Sequence, residues 1–111
     1  MKRVFYGKEF EVEDLREQGL CDIVFDFIPA LEFMYLAIKN GEKILGGDII
    51  VKDNKGGYTI SYDGWSCRSD LPEQTFIETL EYFDLILKNN NLVDWKVSVV
   101  TSLYSKHTLP L

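Results

Sequence analysis

Two aspartates lie in neighbouring glycine-bearing motifs, Asp48 closing the triplet Gly46-Gly47-Asp48 and Asp63 opening the triplet Asp63-Gly64-Trp65. Paired carboxylates can share acid and base duties when their surroundings push their proton affinities apart. They can also offer hard oxygen ligands to calcium or magnesium. Acid–base catalysis needs more than the pair, and the neighbourhood supplies no evident nucleophile, metal set or oxyanion donor. The glycine pair lacks the Lys and Ser/Thr of a phosphate-binding loop and runs into a strand pattern rather than a helix start. Cys67 and His107 make a thin thiol dyad, and Cys21, Cys67 and His107 do not have the local spacing of a zinc site. The simplest reading of Cys21 and Cys67 is two reduced thiols; a disulfide between them depends on how closely their Cα atoms approach. The expectation is a protein without catalysis and without a cofactor, with a small ligand- or metal-binding module centred on Asp48 and Asp63 as the alternative.

The elements that position these residues follow from pattern. Lys43 to Lys52 and Tyr58 to Cys67 are rich in β-branched and aromatic residues and are joined by Asp53-Asn54-Lys55-Gly56-Gly57, which predicts a β-hairpin with a longer loop. The near-continuous apolar run from Ile44 to Val51 predicts a central strand. Within it, the glycines can accommodate a bulge or a bulky aromatic across the sheet, while Asp48 accepts bonds from nearby backbone N–H groups. Trp65 either caps the core or, with Tyr58 and Tyr62, forms an aromatic contact for a protein partner.

Around the hairpin, Arg3–Tyr6 predicts a first strand and Glu11–Gln18, followed by Gly19, one or two helical turns. Cys21–Phe27 alternates as a brief strand. Asp26 then caps a buried helix with Pro29 in its first turn and Leu31, Met34 and Ile38 at helical spacing, ended by Asn40-Gly41. Asp70, with Pro72 and Glu73 behind it, predicts the start of another helix, whose Phe76, Leu80, Phe83 and Leu87 form an apolar stripe with Glu78 and Glu81 opposite. Trp95–Leu103 predicts a last strand, and Ser105–Leu111 a frayed tail. The fold class is α+β: a small single domain, 1–111, in which a mainly antiparallel sheet of three to five strands packs against two or three helices.

Charge narrows the partners. A formal net charge of -6 disfavours nucleic acid and anionic lipid and suits a basic partner. Six acidic residues from Asp70 to Asp94 stand against the single base Lys88, so a solvated face or a docking surface is expected there, with Glu78 and Glu81 as candidates. Lys8, Glu9, Glu11 and Glu13 interrupt any signal-peptide-like apolar run, and Asp26 and Glu32 interrupt the longest candidate membrane span. A cytoplasmic protein without a membrane segment is the expectation.

The run Ile44-Leu45-Gly46-Gly47-Asp48-Ile49, then Tyr62-Asp63-Gly64-Trp65-Ser66-Cys67, then a Phe/Leu/Tyr helix, resembles the immunity protein 40 family of bacterial polymorphic-toxin systems. Gly19-Leu20 and the buried helix ahead of the glycine pair fit as well, so the resemblance runs from about Leu15 to Lys88. It implies a cytoplasmic, non-catalytic inhibitor that binds a cognate toxin encoded beside it. The family pattern often carries Asn where this chain has Gly64, so no role for a side-chain amide is implied at that position. Nor does the resemblance assign a toxin-contacting residue; Asp63, Trp65, Glu78 and Glu81 are candidates from residue type and position alone.

Overall fold

The strand on which the others assemble is Ile44–Lys52, flanked on both edges, as its near-continuous apolar run demands. The computed structural model describes residues 1–15, 23–52, 57–60, 64–89 and 95–103. In chain order the elements are β1 (Lys2–Phe5), β2 (Lys8–Glu11), β3 (Glu13–Asp14), β4 (Ile23–Asp26), α1 (Phe27–Lys39), β5 (Ile44–Lys52), β6 (Tyr58–Ile60), β7 (Trp65–Ser66), α2 (Pro72–Asn89) and β8 (Lys96–Thr101). The main sheet has the order β3-β4-β8-β5-β6, with β7 also pairing β5. Every pairing is antiparallel, and β1 and β2 form a separate hairpin. The fold is the α+β domain expected from sequence, with two helices on one sheet.

Both helices cover the same sheet face. Phe33 and Met34 of α1 and Phe83 and Ile86 of α2 share one core with Phe25, Ile49, Val97 and Val99 of the sheet. Phe33 stacks on Phe25 at 4.8 Å and meets Phe5 of the β1–β2 hairpin edge-on at 5.1 Å, so the hairpin closes one end of the core. Phe83 closes the other, ringed by Trp65 at 5.1 Å, Phe27 at 5.7 Å and Trp95 at 5.9 Å. On the opposite sheet face, Leu15, Val24 and Ile50 form a small second cluster.

Four local expectations are corrected. The helical turns expected from Glu11 are replaced by β2 and β3 through Asp14: Phe10 and Val12 are buried while Glu11 and Glu13 are exposed, and this period of two outweighs the helix propensity of the individual residues. Residues 16–22, including Gly19 and Cys21, lie outside the described residues. The second hairpin strand is divided into β6 and β7, which pair successive parts of β5. Asp26 occupies the cap position of α1 but makes no side-chain cap bond; its carboxylate instead pairs with Lys96, the residue opposite it on β8. Pro72 takes the first position of α2, whereas Asp70 is solvent-exposed with Lys43 3.8 Å away, and it is Ser69 Oγ that accepts the Leu71 N–H at 3.1 Å.

The last strand stops at Thr101, leaving Leu103 exposed rather than on its buried face. No helix among the described residues is long and apolar enough to cross a membrane.

Candidate functional site

The Gly46-Gly47-Asp48 and Gly64-Trp65 segments come together in space because β7 pairs β5 at Gly46↔Ser66 and Gly47↔Trp65. On the other edge of β5 the register with β8 shifts between Ile44 and Gly46, which is a bulge. Here the glycines make room for neighbouring backbone and for one ring. A Cβ on Gly47 would overlap the Ser98 carbonyl oxygen of β8 and stand 2.6 Å from Trp65 Cη2 and 2.9 Å from Cζ3. A Cβ on Gly46 would overlap the Trp65 carbonyl oxygen, and the φ of 148° at this residue is one that L side chains rarely adopt. Gly64, at φ 82°, packs against the Gly47 carbonyl, and its Cβ position lies 2.5 Å from Asp48 Oδ1. The carboxylate of Asp48 is thus set against the Gly64 backbone.

Trp65 is held on three sides. Its indole stacks on Tyr82 at 5.4 Å and meets Phe83 edge-on at 5.1 Å. Its Nε1–H donates to Thr79 Oγ1 at 2.9 Å. Thr79 in turn donates to the Thr75 carbonyl at 3.0 Å, and Thr75 Oγ1 donates to the Pro72 carbonyl at 2.6 Å while accepting the Ile44 N–H at 3.0 Å. Two threonines one helical turn apart therefore fasten α2 to both β7 and the start of β5. Both are buried, and hydroxyls buried in this way are tolerated because every bond they need is made inside the helix or to the sheet.

Thr79→Val keeps the shape and removes the acceptor, leaving the indole N–H unpaired. A loss of about 1–2 kcal/mol in a denaturant titration is expected, and no loss would separate the threonine ladder from the stability of the joint.

Cys67 borders the ladder, with Sγ 3.4 Å from both the Thr75 carbonyl and Thr79 Oγ1. It is a free thiol, and burial pushes its pKa up, reinforced by the nearby Glu78 carboxylate and opposed by the Thr79 contact. A raised pKa keeps it protonated and unreactive at neutral pH.

Asp63, Tyr62 and His107 lie outside the described residues, so the pairing of Asp48 with Asp63 is not described. A cleft of about 280 Å³ beside Asp48 is lined by Leu45, Gly46, Gly47, Trp65, Ser66 and Val100. Among the described residues no three His, Cys, Asp or Glu side chains gather as a metal site. Glu78 and Glu81 differ: Glu78 is half-buried and accepts the Arg68 N–H at 3.0 Å, tying down the loop ahead of α2, whereas Glu81 is exposed.

The apolar stripe of α2 is also rotated from its expected position. Thr75, Thr79, Phe83 and Ile86 face the core, while Leu80 and Leu87 are 41% and 47% exposed, so Glu78 and Glu81 do not lie opposite a buried Leu80. The residues that sequence reasoning missed are Thr75 and Thr79; their spacing of four, in phase with Phe83 and Ile86, was the available signal.

No family model, curated protein or solved structure matches this chain.

Proposed function

We propose that the chain is an immunity protein, a non-catalytic inhibitor that binds a cognate bacterial toxin in the cytoplasm of the producing cell. The reading draws on the resemblance of the Gly46-Gly47-Asp48 and Asp63-Gly64-Trp65 elements to the immunity protein 40 family. The observation that carries it furthest is the charge of α2, which bears Glu73, Glu78, Glu81 and Asp84 against Lys88 alone, in a chain of net charge -6. Glu73 and Glu81 are exposed and stand outside the Asp84–Lys88 pair, so their charge is available to a basic partner. The alternative, a small-ligand module at Asp48, is supported by the adjoining cleft, but the crowding of its carboxylate against Gly64 favours the protein partner.

Coexpression tests the proposal. Cells producing the toxin encoded beside this chain are expected to survive when the chain is present, and the two proteins to co-purify at low salt with the complex weakened as salt rises. Death of the cells despite abundant folded chain would remove the immunity reading.

A further inference from the structure

The outward side of α2 carries more than charge. Ile77, Leu80 and Leu87 are 46%, 41% and 47% exposed, and with Asp84 they recur at spacings of three, four and three, which places them along one side of the helix. Glu73 lies four residues before Ile77 and Glu81 four residues after it, and both are exposed. A stripe of aliphatic side chains with an acidic border on a soluble helix is unpartnered surface of the kind that a complementary segment covers.

We propose that this face of α2 is a docking site for a basic amphipathic segment of a partner protein, with Ile77, Leu80 and Leu87 as apolar anchors and Glu73 and Glu81 as the charged border. The occupant follows from charge. A second copy of the chain would lay an equally acidic face, bearing Glu73, Glu81 and Asp84 against Lys88 alone, on this one, and two faces of the same net charge oppose association. Asp84 already holds Lys88 at 2.9 Å, so Glu73 and Glu81 are the carboxylates left to meet Lys or Arg from a partner. The proposal specifies the surface used under the immunity reading and rests on that reading for the identity of the partner, though not for the chemistry of the segment.

A synthetic peptide of leucine and lysine, patterned to present its leucines on one helical face, is the probe, with the same residues in scrambled order as control. Titrated into the full-length isotope-labelled chain at low salt, the patterned peptide is expected to shift the amide resonances of α2 around Ile77, Leu80 and Leu87. Leu80→Ser with Leu87→Ser should weaken the peptide by about tenfold or more, and Glu73→Lys with Glu81→Lys should weaken it and flatten its salt dependence.

All four positions are exposed, and unchanged melting of the variants confirms that they fold. Shifts centred on other elements, equal binding of the scrambled peptide, or a dimer that Leu80→Ser with Leu87→Ser dissolves would each overturn the proposal. The toxin separates the two claims: rescue by the native chain that survives both double variants overturns this surface and leaves the immunity reading standing, whereas failure of the native chain to rescue removes the immunity reading while the peptide titration still decides the surface.

Discussion

Gly47→Ala is expected to destabilise the chain by about 3 kcal/mol, a large effect for one methyl group. The added Cβ meets two obstacles of different kinds. One is the far edge of the Trp65 ring, 2.6 Å away, which a rotation of the indole could relieve in part. The other is the Ser98 carbonyl oxygen, which belongs to β8 and cannot retreat without breaking the β5–β8 ladder through the middle of the sheet. Trimming the indole should therefore fail to rescue Gly47→Ala. If Trp65→Leu restores most of the stability lost in Gly47→Ala, the clash lies with the ring and the backbone approach matters less than the geometry indicates. Denaturant titration of the two single variants and the double variant reads the coupling directly.

Trp65→Ala carries the other large effect, a loss of about 3–5 kcal/mol. The ring separates β5 from α2, stacks on Tyr82 and packs on Phe83, so its removal opens space that Gly46 and Gly47 have no side chains to fill. It also removes the donor to Thr79. Thr79→Val measures that hydrogen bond with the ring still in place, so a loss in Trp65→Ala well above the loss in Thr79→Val assigns the difference to packing. A variant that melts like the native chain but no longer binds a partner would make Trp65 a contact residue instead.

Much of this fold was legible where the hydrophobic period was unambiguous. The β-branched run from Ile44 to Val51 marked the central strand, and Asn40-Gly41 marked the end of α1, where Asn40 Nδ2 donates to the Leu36 carbonyl at 2.7 Å. The two main errors share a cause. Glu11 and Glu13 favour helix and open the helix-forming run to Gln18, yet the burial of Phe10 and Val12 against the aromatic core imposes alternation. In α2, counting only apolar residues set the stripe on Phe76, Leu80, Phe83 and Leu87; Phe83 is buried as expected and Phe76 packs on the core, but the core side takes in Thr75 and Thr79, which hydropathy scores as surface, and leaves Leu80 and Leu87 exposed. In both places tertiary contacts chose the period, and local propensity did not report them.

The candidate site was legible as a motif and not as a geometry. The sequence brought glycines, Asp48 and Trp65 to notice, and it allowed both a structural and a chemical reading. Contact distances favour a joint: β7 lies on β5, Trp65 spans the gap over Gly47, and two threonines lock the helix to both strands. The exposed Leu80 and Leu87 were hidden in sequence because they share helical spacing with Phe76 and Phe83, and Ile77 beside them drew no reading of its own. Once α2 is placed, the same residues become the side turned away from the sheet, bordered by carboxylates, and the proposed partner surface moves from Trp65 and Glu78 toward Leu80, Leu87 and Glu81.

Calorimetric titration of the purified full chain with the toxin encoded beside it is the most direct measurement of the central claim. A saturable complex at low salt, weakened by rising ionic strength and by Leu80→Ser with Leu87→Ser but not by Thr79→Val at a temperature where that variant is folded, is the predicted result. No heat of binding at low salt from a folded chain, or an affinity indifferent to the α2 substitutions, would contradict the account.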